Sequence, residues 1–243
     1  MPHGEMLNAL MDKLDRSASY KEVWDALYAY VQHFEINGMT YYHLAPPGSL
    51  DFTEKYFVAF GFDEKKVAEY RRQHSIFKSP LTDRSRPLTN PVFWNELMDM
   101  IDLRSDEEML MRNFYCAEPS NGIAIPTYGP NSRNGCVVLR FNDMSVRFKG
   151  DAIRAVQWAA HCAHLAFCKI RAENLPPTVS LTHREQEVLT WVARGKSNTV
   201  IADIVGISQH TVNGYLRRIY LKTGTSDRTT ATLRALGESL IDI

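Results

Sequence analysis

A polar row on one predicted helix carries the residue types in this chain best suited to recognition chemistry. Between Ser208 and Lys222, Val212, Leu216 and Ile219 recur at i, i+4 and i+7 and must face a core. At about 100° per residue, Asn213, Arg217 and Tyr220 then face outward, with His210 beside them. An amide, a guanidinium and a phenol on one exposed helix face can bond to base edges in a major groove, Arg to guanine and Asn to adenine. Lys196, Ser197, Thr211, Arg218 and Lys222 lie where a flanking backbone would be met by phosphate contacts, and Ser208 opens the helix. Any one of these features also fits an ordinary solvated helix face. Their combination in this order points to duplex DNA.

The elements that must hold this row lie in LTHREQEVLTWVARGKSNTVIADIVGISQHTVNGYLRRIYLK, from Leu181 to Lys222. Thr182 and Glu185 have the spacing of a capping box, which pairs two orphan N–H groups at a helix start. Val188, Leu189, Val192 and Ala193 supply an apolar face, and Gly195 is placed to end that helix in the left-handed conformation. Ser197 or Asn198 can cap the next helix, whose buried face is expected to be Ile201, Ala202, Ile204 and Val205. Gly206 stops it, and Ser208 caps a third helix after a short connection. Two short helices joined by a glycine-containing turn form a helix-turn-helix.

This stretch resembles the C-terminal domain of LuxR-type transcription regulators, with Glu185, Leu189 and Gly195 at the family's signature spacing and Thr211-Val212 opening the recognition helix. The resemblance runs to Ile243 and implies a fourth helix, capped by Ser226 and carrying Ala231, Ala235, Leu236 and Leu240. In that family the last helix helps two DNA-binding domains to pair. The expectation is a homodimer, with the Asp151–Asn174 helix as a second contact, on double-stranded DNA bearing an inverted repeat.

The rest of the chain agrees with such a protein. Its 243 residues are 44% hydrophobic and 23% charged, which suits a globular chain of one or two domains. From Leu175 onward there are eight Lys/Arg against six Asp/Glu, too small an excess to decide for DNA by itself. Cys116, Cys136, Cys162 and Cys168 form no CxxC pair and read as reduced thiols. His161 and His164 share a helix face but lack a second pair of ligands, so no metal is expected. No cofactor is expected, and without a G-x-S-x-G elbow or a ligand cluster the chain reads as no enzyme. The N-terminus lacks the regions of a signal peptide, and no apolar run approaches the ~20 residues of a membrane span. A cytoplasmic location with no membrane partner follows as the expectation.

Upstream, helices are expected around Leu7–Leu14 and Tyr20–Phe34, and strands at Met39–Leu44 and Glu54–Phe60. A helix containing Val67 and Tyr70 ends at Ser79-Pro80, and Ser105–Glu108 reads as an acidic helix start. Gly122–Pro126 and Cys136–Phe141 form two more strands, joined by Gly129–Gly135, and a long helix covers Asp151–Asn174. The fold class is therefore α+β, an α/β/α sandwich with a largely antiparallel sheet followed by an all-α helix-turn-helix domain. The domains are expected at 1–174 (sensing and dimerisation) and 181–243 (DNA binding), with a stiff linker at 175–180.

The N-terminal half is also similar to the family's autoinducer-binding domain, with Tyr70, Pro80, Trp94 and Gly122 at the family's mutual spacings. The resemblance implies a ligand site bordered by Tyr42, Phe62, Lys66, Tyr70, Ser79, Trp94 and Gly122. For Tyr42, Phe62, Tyr70 and Trp94, core packing is the competing reading. Two expected residues are absent. Lys66 stands where the family has a tryptophan whose indole N–H bonds the lactone carbonyl, and Ser79 stands where it has an amide-accepting aspartate. The expected function is a sequence-specific DNA-binding regulator responding to a small signal molecule other than a conventional acyl-homoserine lactone. A ligand-independent regulator and a conventional lactone receptor with altered contacts are the alternatives.

Overall fold

The computed structural model describes residues 2–72, 89–94, 96, 122–141, 150–177 and 179–242. Its residues group into two units, Met1–Leu44 with Lys55–Asn174, and Ala45–Glu54 with Leu175–Ile243. The inclusion of the short segment Ala45–Glu54 in the second unit has no counterpart in the sequence pattern. There the Glu238 carboxylate accepts the Leu50 N–H at 2.6 Å.

The first unit begins with α1 (Pro2–Arg16) and α2 (Tyr20–Val31), the latter capped by Ser19, whose hydroxyl accepts the Glu22 N–H. The strands are β1 (Ile36–Leu44) and β2 (Phe57–Phe60), followed by α3 (Glu64–Arg72). Next come β3 (Val92–Phe93), β4 (Gly122–Thr127), β5 (Asn134–Phe141) and α4 (Asp151–Asn174). All pairings are antiparallel, in the order β2-β1-β5-β4-β3. The β4–β5 loop is shorter than Gly129–Gly135, because β5 already begins at Asn134. Pro126, which has no N–H to give, stands on β4 beyond the two residues that pair with β3, where an edge tolerates it. Ser79-Pro80 and the acidic start at Ser105–Glu108 lie outside the described residues.

The core of this unit lies between α1, α2 and α4 and one face of the sheet. Trp24 of α2 stacks on Tyr41 of β1 with ring centroids 3.9 Å apart, and Phe167 of α4 meets both rings. Leu27, Val31, Val156, Ala160 and Ala163 fill the space around them. A polar network crosses this layer. His164 is fully buried; its Nε2 is 2.9 Å from the Arg133 carbonyl oxygen and its Nδ1 is 2.8 Å from the Tyr41 hydroxyl. A carbonyl can only accept, so Nε2 carries the proton and Nδ1 accepts from Tyr41.

The second unit holds α5 (His183–Ala193), α6 (Asn198–Val205), α7 (Gln209–Thr223) and α8 (Arg228–Gly237) around Val188, Leu189, Ile201, Val212, Leu216, Ile219, Ala231 and Ala235. Both halves of the Thr182–Glu185 capping box form, and Ser197 and Ser208 cap α6 and α7. Gly195 and Gly206 adopt positive φ (77° and 73°), which closes α5 and α6 at little steric cost. Three local expectations are corrected. Ile204 is 44% exposed: it lies roughly 100° round the helix from the centre of the arc formed by Ile201, Ala202 and Val205. Asp227, not Ser226, caps α8, accepting the Thr230 N–H at 2.9 Å and the Thr230 hydroxyl at 2.7 Å. Its negative charge suits a helix N-terminus better than a neutral hydroxyl. The helix also ends at Gly237, so Leu240 packs against the core from beyond it.

Candidate DNA-binding surface and ligand-facing sheet

On α7 the buried row is Val212, Leu216, Ile219 and Thr223, and the opposite side is exposed. His210, Thr211, Asn213, Arg217 and Arg218 all lie on the exposed side, whereas Tyr220 is half-buried against the core, contrary to its expected outward position. Its ring follows Ile219 directly and covers apolar surface, and burial raises its phenol pKa.

The exposed groups differ in how far they are already engaged. Ser208 accepts the Thr211 N–H at 3.0 Å and shares a 2.8 Å bond with the Thr211 hydroxyl. The Asn213 carbonyl oxygen accepts from the Asn198 amide at 2.7 Å, which leaves its NH2 group outward as a donor. Arg218 lies over the Tyr215 ring at 4.5 Å and 3.9 Å from Glu185. Arg217 makes no ion pair or hydrogen bond among the described residues, so its five donors are available. Lys196 and Ser197 are exposed at the start of α6.

Lys222 has a different occupation from the one its spacing suggested. Its ammonium donates to Glu185 Oε2 at 2.7 Å and to the Ser180 carbonyl at 3.1 Å. Glu185 is buried and also accepts the Thr182 N–H at 2.8 Å. Burial alone would raise its carboxyl pKa, but the Lys222 ammonium and the Thr182 donors outweigh that and hold it below the usual carboxylate range. Lys222 is thus an internal tie between α7 and the start of α5. No signal in the spacing distinguished such a tie from a phosphate contact.

In the first unit, Tyr41 reaches α4, so strand alternation sends Thr40 and Tyr42 to the opposite face of the sheet. Tyr42 is fully buried there, its ring centroid 5.0 Å from that of its cross-strand partner Phe57. Gly122 pairs with Arg140, and Trp94, 1% exposed, presses against it. A Cβ on Gly122 would stand 2.4 Å from the indole, so only glycine admits Trp94 in this position. Phe62 is half-buried under the Arg140 guanidinium, 4.4 Å from its ring centroid. Arg140 is fixed in turn by Asn37 Oδ1 at 3.0 Å and the Gly61 carbonyl at 2.8 Å.

Of the remaining expected ligand residues, two lie on α3 and one lies outside the described residues. Lys66 is exposed on α3, and its backbone N–H donates to the Asp63 carboxylate. Tyr70 falls within α3, and Ser79 lies outside the described residues. Among the described residues no group of three His, Cys, Asp or Glu side chains is placed to hold a metal. His164 and Cys168 belong instead to the network around the Arg133 carbonyl. No helix among the described residues is long and apolar enough to cross a membrane.

Comparison with known proteins agrees with this geometry. Residues 19–167 match the family model of the autoinducer binding domain, and residues 179–235 match that of bacterial regulatory proteins, luxR family. The HTH-type transcriptional regulator y4qH of Sinorhizobium fredii is 28% identical, over 98% of this chain and 73% of that protein. The transcriptional activator protein AhyR of Aeromonas hydrophila is 26% identical, over 72% of this chain and 69% of its own. Among solved structures, SdiA in complex with octanoyl-rac-glycerol shares the fold with a TM-score of 0.70 at 19% identity, covering 96% of this chain and 93% of the other.

Proposed function

The chain belongs to the LuxR family of bacterial transcription regulators, with an autoinducer-binding domain and a helix-turn-helix, and is not an enzyme; from this membership we propose a cytoplasmic, homodimeric reader of an inverted repeat that answers a small signal other than an ordinary acyl-homoserine lactone. One observation carries the DNA half of this reading: His210, Asn213 and Arg217 form an exposed row opposite the buried row of α7. Arg217 reads a guanine edge through paired donors, and the Asn213 NH2 group gives to an acceptor edge. Lys196, Ser197, Ser208, Thr211 and Arg218 meet phosphates on either side.

Dimerisation is supported by exposed apolar side chains on the two helices expected to pair. Trp158 and Leu165 are exposed on α4, and Leu233 on α8. Two copies joined there carry two recognition helices, and their half-site centres fall about 10 bp apart, one duplex turn.

The signal half rests on Lys66. An ammonium in solvent cannot supply the fixed indole N–H that a lactone carbonyl requires, and Ser79 supplies a neutral acceptor in place of a carboxylate. Tyr42, Trp94 and Gly122 still give one sheet face the aromatic character of a ligand floor. A gel-shift titration against a pool of random duplexes tests the DNA reading. It predicts selective retention of inverted repeats, and the absence of any sequence-selective shift would refute it. Lactones with short, long and aromatic acyl groups test the signal reading by melting temperature. Submicromolar binding of any of them contradicts it, and Lys66→Trp with Ser79→Asp should create such binding.

A further inference from the structure

Two residues of α7 are explained neither by its helical conformation nor by its packing. The buried row is Val212, Leu216, Ile219 and Thr223. His210, Gly214, Arg217 and Leu221 each stand two residues before a member of that row, about 200° round the helix, and so form the centre of the opposite face. All four are exposed. Gly214 lies inside the helix without a positive φ, and a Cβ there would meet nothing within 4 Å. Glycine weakens a helix interior relative to alanine, and nothing among the described residues requires it here. Leu221 is 78% exposed, more than any other large apolar side chain among the described residues. A lone exposed leucine is ordinary. This one shares its face with Arg217 and lies almost in line with Gly214, roughly 10 Å further along the helix axis.

We propose that Leu221 reads the 5-methyl group of a thymine in each half-site, and that Gly214 is the clearance that lets the helix lie close enough for it to do so. This assignment rests on the proposed reading of α7 as the DNA-facing helix. In the major groove thymine alone presents a methyl group, and apolar contact with that methyl distinguishes it from the other bases. A leucine side chain has no donor or acceptor, so at this position it can discriminate by the methyl group alone. The contact takes two apolar surfaces out of water at once, the methyl and the leucine that is otherwise solvated. Gly214 acts by what it lacks. A helix without a side chain at the middle of its outer face can come closer to the duplex there, which carries Arg217 and Leu221 deeper into the groove.

The test starts from the duplex that the full-length chain selects from a random pool. Each thymine of one half-site is replaced in turn by deoxyuridine, which keeps the pairing edge and removes only the methyl group. At one position the replacement should weaken binding by about fourfold, the worth of one buried methyl group. Leu221→Ala should abolish that discrimination and leave the guanine preference assigned to Arg217 in place. Replacement without effect at every thymine, or discrimination that survives Leu221→Ala, overturns the proposal and leaves the DNA reading standing. Gly214→Ala supplies a second readout. Its melting temperature should equal or exceed that of the original chain, because alanine is the better helix former. Its affinity for the same duplex should nevertheless fall by about tenfold or more, because the added Cβ meets DNA. A lower melting temperature would show that the fold itself needs this glycine, and an unchanged affinity would show that no duplex comes close to it; either overturns the proposal. If the original chain shows no sequence-selective binding, the DNA reading fails and the proposal fails with it.

Discussion

Glu185 and Thr40 are both buried polar residues, at 2% and 0% exposure, in the DNA-binding unit and the sheet respectively. Around Glu185 the fold gathers the Thr182 N–H, the Lys222 ammonium and, at 3.9 Å, the Arg218 guanidinium. Around Thr40 it places hydrocarbon. The same contrast runs through each unit. His164 is bonded on both ring nitrogens, while the hydroxyl of Thr40, next to Tyr41 on β1, has no partner among the described residues. Lys222 is consumed by an internal tie, while Arg217 five residues earlier is open. Polar groups that the fold has already satisfied maintain its shape. Among those it leaves available, Arg217 is the group to which the proposed function assigns a base contact.

Substitutions on the satisfied side should act on stability. His164→Ala should cost the most, on the order of 3 kcal/mol by urea denaturation, since it opens a fully enclosed space and strands the Tyr41 hydroxyl. Burial is also what pushes the His164 pKa down to about 3, against a weaker upward pull from the Arg133 carbonyl. The unfolded chain takes up this proton near pH ~6.5 while the folded chain resists it, so stability is full above that pH and falls as the pH drops, by up to about 1.4 kcal/mol per unit. A stability-versus-pH series on His164→Ala should lack this component.

Glu185→Gln should follow, at about 1.5–3 kcal/mol, because a charge-assisted bond to Lys222 becomes neutral and the capping box weakens. Its carboxyl pKa is depressed in the folded chain, so this stability is present above the unfolded value near ~4.3 and is lost as the pH falls through the folded value. Acid unfolding of the isolated variant should therefore begin from a lower plateau and show a shallower decline over that range. Lys222→Ala should have the smallest effect on stability, about 1 kcal/mol, because the ammonium is part-exposed. If Lys222 is the internal tie the structure shows, the salt dependence of DNA binding should be unchanged in this variant. A slope reduced by about one would return Lys222 to the phosphate contacts and erase the distinction drawn here.

What could be read from sequence was local. Ser197, Ser208 and the Thr182–Glu185 box declare themselves because a cap bonds to an N–H two or three residues away. The register of α7 followed from Val212, Leu216 and Ile219, but the neighbouring choice between Ser226 and Asp227 was beyond periodicity, since both are good caps. The strand at Met39–Leu44 was visible from its strand formers, yet which face met the helices depended on Tyr41 bonding to a histidine 123 positions away. Lys222 and Glu185 lie 37 positions apart, and their pairing has no signature in either segment. Thr40 went unnoticed because a threonine in an apolar strand is an ordinary strand former until its neighbours are known.

The contrast between satisfied and available groups is tested most directly at Arg217. Full-length protein and its Arg217→Ala variant should be compared by selection from a random duplex pool, with the unfolding free energy of each measured alongside. An exposed side chain without a partner should leave stability within about 0.5 kcal/mol. The variant should lose about 1–3 kcal/mol of affinity and lose base preference at one position in each half-site. An unchanged selected sequence and affinity, or a loss of stability in place of a loss of specificity, would contradict the assignment of this face to DNA.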